Sequence, residues 1–350
     1  MFELNNIVRK NILSLKPYSS ARDEFSGTEG IFLDANENPY GTYNRYPDPY
    51  QLELKSLVAK EKGIELTNIF VGNGSDEVID LLFRIFCQPG TDKALTFSPT
   101  YGMYEVSAAI NDVMIIKVPL NQNLDIESDA ISPYLNDEHL KLICICSPNN
   151  PTGNTFSKPV IEEILTNFNS IVLVDEAYID FSKEESLICM IEKYPNLVVS
   201  QTMSKAWGLA AARVGFAYAN AAVIKLMNKV KPPYNISGPN QKNALITLEN
   251  REQYEKNLRS ILIEKALLKK ALESIQIVLK VFPSEANFFL VRFENADFIY
   301  NKLVEEKIIV RNRNTVVENC IRITVGTPRE NQKLIEELKK IENEKSIIYR

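Results

Sequence analysis

Lys205 is the residue whose surroundings point most directly to covalent chemistry. It stands in Ser200-Gln201-Thr202-Met203-Ser204-Lys205-Ala206-Trp207-Gly208-Leu209, with Arg213 close behind. The apolar run 197–199 precedes it, so the amine is expected just beyond a strand end. A lysine desolvated there can give up its proton and condense with an aldehyde as a Schiff base. Thr202, Ser204 and Arg213 add hydroxyls and a guanidinium suited to an anion such as a phosphate. Alone, the same segment reads equally well as an exposed loop.

Four further segments narrow the choice. The run 171–174 ends in Asp175-Glu176-Ala177-Tyr178. A carboxylate at a buried strand end is costly unless a cation meets it. A protonated pyridine nitrogen is one such cation, and an acid there keeps the ring an electron sink. A salt bridge or a magnesium ion would serve as well. In Gly72-Asn73-Gly74-Ser75-Asp76-Glu77 the glycines bare backbone N–H groups at the start of a helix, a natural phosphate cradle. The third glycine of a dinucleotide fingerprint is missing, and so is the Gly-Lys-Ser/Thr of a Walker loop. A plain cap by Ser75 or Asp76 is the ordinary alternative. Ser147-Pro148-Asn149-Asn150-Pro151-Thr152-Gly153 forms a rigid turn that can hold Asn150 against a ligand oxygen, or simply turn. Tyr101, in Pro99-Thr100-Tyr101-Gly102-Met103-Tyr104, is placed to stack on a flat ring or to fill the rim of a core. Each segment has a dull explanation. Together they offer one partner for each part of a phosphorylated pyridine aldehyde.

The elements that must position these groups follow from the apolar pattern. Short runs at 69–71, 94–97, 140–146, 171–174, 197–199 and 214–219 alternate with longer amphipathic stretches. That predicts an α/β fold, a mostly parallel central sheet flanked by helices. Ligands in such sheets bind beyond the carboxyl ends of the strands, where the special residues cluster. Past residue 240 the texture changes. One charged helix is expected over 241–272, then strands at 286–293, 308–311 and 320–325, a helix at 298–306 and a final helix reaching about 340. This order suits a smaller α+β domain. The chain is therefore divided into 1–35, an N-terminal arm packing with the small domain or reaching a partner; 36–240, the large cofactor domain; and 241–350, connector helix and small domain.

Composition sets the outer limits. With 350 residues, 45% hydrophobic and 24% charged, the chain can bury a sizeable core. Its net charge of −5 offers no bulk attraction to nucleic acid, and no apolar run is long enough to span a bilayer. The N-terminus lacks the apolar core of a signal peptide. Five cysteines, an odd number, point to reduced thiols and a cytoplasmic setting. Cys144 and Cys146 lie two apart in an apolar run and read as core. The single histidine, His139, sits among Asp137 and Glu138 and reads as surface, so no metal is expected.

Taken together, the residues resemble the fold-type I pyridoxal-phosphate (PLP) aminotransferases, and within them the histidinol-phosphate aminotransferase family. Asn150-Pro151-Thr152-Gly153, Asp175-Glu176-Ala177-Tyr178 and Ser204-Lys205 occur in the family's order. Narrower matches are Lys16-Pro17-Tyr18-Ser19-Ser20-Ala21-Arg22, Asp34-Ala35-Asn36-Glu37-Asn38-Pro39, Asn44-Arg45-Tyr46-Pro47 and Arg322-Ile323-Thr324-Val325-Gly326-Thr327. The resemblance implies that Lys205 carries the cofactor and shuttles a proton, and that Asp175 keeps the pyridine nitrogen protonated. It implies that Asn150 and Tyr178 bond the ring oxygen and that Tyr101 stacks on the ring. Ser75 and Asp76, through their backbone, would hold the phosphate with Thr202, Ser204 and Arg213. Tyr46 would reach the cofactor of a neighbouring subunit in a homodimer. Arg322 would bind the acidic end of the substrate, with Tyr18 and Asn38 nearby. Some members place an arginine in the final helix as a second phosphate ligand; here Lys333 stands in that place.

The activity implied is amino transfer between L-glutamate/2-oxoglutarate and histidinol phosphate/imidazole acetol phosphate, in histidine biosynthesis. Rivals with the same machinery are an aromatic or broad-specificity aminotransferase and a threonine-phosphate decarboxylase. A nucleotide-binding protein using 72–75 as its phosphate loop is the rival from another class.

Overall fold

The computed structural model describes residues 2–18 and 30–348; Ser19, Ser20, Ala21 and Arg22 of the N-terminal motif lie outside the described residues. Two sheets organise the chain. The larger has seven strands: β1 (Ile69–Asn73), β2 (Lys93–Ser98), β3 (Met114–Pro119), β4 (Leu140–Cys146), β5 (Ile171–Asp175), β6 (Leu197–Thr202) and β7 (Val214–Ala219). Their spatial order is β1-β7-β6-β5-β4-β2-β3. β7 runs antiparallel to both of its neighbours, β1 and β6, while the other pairings are parallel. Six strands therefore end at one edge of the sheet, and β7 begins there.

The central strands are apolar on both faces because both are covered. Val172 and Val174 of β5 belong to one core cluster with Ile143, Ile145 and Val199. Leu173 belongs to the opposite cluster with Cys144, Cys146, Phe83 and Phe86. The two cysteines thus share a face and pack as core. β3, with the burial pattern of an edge strand, was missed by the apolar reading because its Lys117 and Met114 face solvent. His139 is exposed, 3.6 Å from Asp92.

The smaller sheet is antiparallel throughout, in the order β10-β11-β9-β8, with β8 at Val278–Val281, β9 at Phe288–Phe293, β10 at Arg311–Asn312 and β11 at Cys320–Thr324. Its core joins Phe289, Val291 and Ile323 to Leu303, Leu334 and Leu338 from the helices Ala296–Glu305 and Pro328–Ile348.

Two expectations need correction. The charged stretch 241–272 is two helices, Gly238–Glu249 and Arg251–Glu273, rather than one. Asn250 breaks it: its backbone leaves the helical region and its side chain accepts from the Gln253 N–H, capping the second helix. Among the described residues of the N-terminal arm, the segment 2–14 packs on the large-sheet core and not on the small one. Val8 and Ile12 bury themselves in the large-domain core beside Ile85 and Phe86. The Arg9 N–H and guanidinium donate to the carbonyls of Ile85 and Arg84, which the end of the helix Gly74–Phe86 leaves open. Among the described residues no helix is long and apolar enough to cross a membrane.

Asn250→Ala should cost about 0.5–2 kcal/mol and Asn250→Gly only a few tenths. The shift in the urea midpoint of each variant measures this.

Candidate active site

The strand ends converge on a cavity of about 290 Å³. Ser75, Asp76, Tyr101, Asn150, Asp175, Tyr178, Thr202, Ser204, Lys205, Arg213 and Arg322 all line it, as do Cys146, Arg311 and Arg313. Eleven residues singled out from the sequence thus meet in one place.

Asp175 forms the floor. It is 1% exposed, and burial drives its pKa upward. Tyr104 Oη and Ser200 Oγ each donate to it at 3.0 Å, and the Ala177 N–H adds a third bond, which together oppose that rise. No described salt bridge reaches it. Its neighbour Glu176 is equally buried but fully engaged: Ser186 Oγ, the Leu187 N–H and Gln201 Nε2 donate to it at 2.6, 2.8 and 2.9 Å. Asp175 therefore has hydrogen bonds and lacks a cation, which fits a protonated ring nitrogen. Tyr104 and Ser200 were not identified as site residues in the sequence. Both occur in the segments quoted for Tyr101 and Lys205, and only the sheet shows that they point at the acid.

The anion seat is built at the opposite end. The helix Gly74–Phe86 starts at the end of β1, so its first N–H groups face the cavity. Arg213 precedes the antiparallel β7 and so stands at the same edge, in a left-handed conformation at φ 51°. Its guanidinium donates to Asp76 Oδ2 at 3.1 Å and to Ser204 Oγ at 3.3 Å, and Thr202 Oγ1 bonds Ser204 Oγ at 3.0 Å. Backbone and side chains approach here because glycines permit it. A Cβ on Gly215 would lie 2.5 Å from the Ser75 nitrogen, and one on Gly74 (φ +74°) 2.6 Å from the Arg213 guanidinium. The cradle suits a phosphate, and the whole cavity fits PLP.

Lys205 rises between these two ends. Its Nζ lies 5.6 Å from the centre of the Tyr178 ring. The amine keeps access to solvent through the mouth, yet its pKa is pushed down by desolvation and then by Arg322. Asn150 Nδ2 approaches Tyr178 Oη at 3.5 Å, so the two groups expected to share a ring oxygen do converge. Tyr101 Oη donates to Asp76 Oδ1 at 3.2 Å, and its ring meets Tyr104 edge-on. Arg322 Nη1 donates to Asn150 Oδ1, and its guanidinium covers the Phe288 ring.

Four expected residues lie elsewhere. Lys333 is exposed on the helix Pro328–Ile348 and is not in the lining. The added cations come instead from β10 and the turn after it, as Arg311 and Arg313, which the sequence reading did not single out for chemistry. A short strand paired with β11 brings them alongside Arg322. Asn38 and Tyr46 line a separate groove, where Tyr46 stacks on Tyr234 at 4.4 Å. Tyr18 is 71% exposed.

Residues 31–338 match the model of the aminotransferase class I and II family, and the chain belongs to that family. Its relatives within the class are more particular. A histidinol-phosphate aminotransferase of Cytophaga hutchinsonii is 50% identical over 345 residues, 97% of this chain and 99% of the relative. One of Parabacteroides distasonis is 48% identical over 342 residues, again 97% and 99%. Among solved structures, the histidinol-phosphate aminotransferase of Clostridium acetobutylicum aligns with a TM-score of 0.80 at 25% identity, covering 86% of this chain and 92% of that one. That of Sinorhizobium meliloti, in complex with pyridoxal-5'-phosphate, has the same fold: TM-score 0.79, 20% identity, 86% and 83% covered.

Two outcomes follow. Arg322→Gln removes a cation that disfavours the charged amine, so the pKa of Lys205 should rise. The rate at which cofactor-free protein combines with pyridoxal should then fall off at higher pH than in the native protein. Gly215→Ala should weaken PLP retention by roughly tenfold, the equivalent of about 1.4 kcal/mol, measured by titrating the visible band.

Proposed function

We propose that this chain transfers an amino group between L-glutamate/2-oxoglutarate and histidinol phosphate/imidazole acetol phosphate, a step of histidine biosynthesis. The observation that carries this reading is the set Arg311, Arg313 and Arg322 lining the same cavity as Lys205. The two amino compounds must be accepted in turn. One presents a carboxylate where the other presents a phosphate ester, and a guanidinium fork pairs with either. A phosphate ester carries more charge than a carboxylate, which suits more than one arginine.

PLP, when bound, supplies an electron sink for the pair left on the substrate Cα. The chain supplies the rest. Lys205 Nζ would carry the cofactor, and as a neutral amine it would move the proton of the substrate Cα. Its lowered pKa favours the neutral, basic form that this requires. Asp175 would meet a protonated ring nitrogen: burial opposes its charge, and a cation beside it would favour the ionised form. Asn150 and Tyr178 would hold the ring oxygen, and Tyr101 would stack on the ring. The N–H groups of Ser75 and Asp76, with Thr202, Ser204 and Arg213, would anchor the phosphate. Arg322 would orient the acidic end of the substrate.

The separate groove holding Asn38 and Tyr46 supports a homodimer in which these residues, with Tyr18, complete the partner's site. Free cysteines, four of them buried and Cys189 exposed, suit a reducing cytoplasm.

The purified protein should show a visible cofactor band that either glutamate or histidinol phosphate discharges. If only phenylalanine and tyrosine discharge it, the substrate assignment is wrong; carbon dioxide release from threonine phosphate would identify the decarboxylase instead. Arg322→Lys keeps the charge and loses the fork, so kcat/KM should fall by about 10- to 100-fold for both substrates, as expected for a charged hydrogen bond of about 1.5–3 kcal/mol.

A further inference from the structure

Behind the cavity, Tyr254 joins three parts of the molecule. It lies one turn into the helix Arg251–Glu273 and is buried. Its ring stacks on Trp207 with centroids 3.8 Å apart and planes 16° from parallel. Trp207 follows Lys205 by two residues, in a loop closed by the Gly208 N–H donating to the Lys205 carbonyl at 3.1 Å. The phenol of Tyr254 donates to Asp180 Oδ1 at 2.9 Å. Asp180 sits in the turn Ile179–Phe181, two residues after Tyr178. Arg251 lies over both stacked rings, 5.7 and 5.0 Å from their centres, and pairs with Glu61 of the large domain at 2.5 Å. Tyr254 also packs with Tyr178, Ala206 and Phe288, the last from the small sheet. Further along the same helix, Leu268 and Leu272 are buried in the small-domain core.

One rigid rod thus runs from the small-domain core to the backs of the two segments that present Lys205 and Tyr178. We propose that Tyr254 is a positioning residue: its ring holds the Lys205 loop at Trp207 and its phenol holds the Tyr178 turn at Asp180, so that the connecting helix sets the spacing of the amine and phenol flanking the cofactor. Neither contact touches the cofactor or substrate. Both fix backbone within two residues of a group that does, and a misplacement of about 1 Å at such a site can cost on the order of 100-fold in rate. Asp180 explains why the residue is tyrosine. Without the phenol, a half-buried carboxylate loses its hydrogen-bond donor among the described residues.

Trp207 is the sole tryptophan of the chain, so its emission reports the stack directly. The inference rests on Lys205 carrying the cofactor and not on which amino compound is the substrate. The test uses holoenzyme variants, with single-turnover discharge of the visible band by glutamate. Tyr254→Phe should leave Trp207 emission as in the native protein, lower the limiting rate about tenfold and change the glutamate KM less than about twofold. Tyr254→Leu should alter the emission as well and lower the rate by about 100-fold. Asp180→Asn retains an acceptor oxygen and should stay near the native rate, and Tyr254→Phe with Asp180→Ala together should be no slower than either alone. The proposal is overturned if folded Tyr254→Phe keeps the native limiting rate, or if its effect and that of Asp180→Ala multiply. Should Tyr254→Leu not fold, the phenylalanine variant and the double variant still decide. A Lys205→Ala protein that kept a covalently attached chromophore would instead remove the assignment beneath it.

Discussion

A buried carboxylate at the end of a central strand is the constraint to which the rest of this structure answers. Asp175 is drawn out of water by an apolar strand covered on both faces. An isolated ion there would protonate rather than stay charged. Tyr104, Ser200 and the Ala177 N–H hold its oxygens, yet hydrogen bonds do not supply opposite charge. The site thus suits a cationic ring, the group that makes amino-group chemistry possible. Glu176, one residue on and equally buried, shows the contrast. Its hydrogen bonds lead away from the cavity to Ser186, Gln201 and the 187 backbone, and it serves the fold.

The opposite end of the cavity suits an anion, and backbone geometry shapes it more than side-chain count. The helix Gly74–Phe86 directs its N-terminus at the cavity, and the reversed strand β7 places Arg213 beside it. These two elements come together only where glycine leaves room, at Gly74 and Gly215. With the acid at one end and the cradle at the other, the cavity would hold a planar phosphorylated ring between them, with Lys205 as the amine that would carry it.

The small sheet contributes Arg322 from β11 and Arg311 from β10, with Arg313 in the turn beyond. Three like charges on one rim disfavour each other, and the pKa of Arg313 is pushed down by burial and by Arg322 and Arg311. Such an arrangement stores a demand for an anion, which a substrate carrying a carboxylate or phosphate meets. The helix Arg251–Glu273 runs from the core of the smaller sheet to the residues packed beside Tyr178 and Ala206.

Much of this was legible in the residues themselves. Apolar runs ending in Asp175, Asn150 and Lys205 identified both the strands and the edge where the site lies, because local periodicity and strand-end chemistry are properties of short segments. The break at Asn250 escaped notice because a single capping residue does not disturb a charged helical pattern. Tyr104 and Ser200 were in plain view as residues and invisible as ligands of Asp175, since a strand's neighbours are chosen by the sheet. Lys333 lies exposed outside the cavity lining, whereas pairing of β10 with β11 brings Arg311 and Arg313 to it. The amino-acid sequence by itself determined which groups could do the chemistry. Only the tertiary structure decided which of them share a cavity, because the distances that matter are set across strands and between domains rather than along the chain.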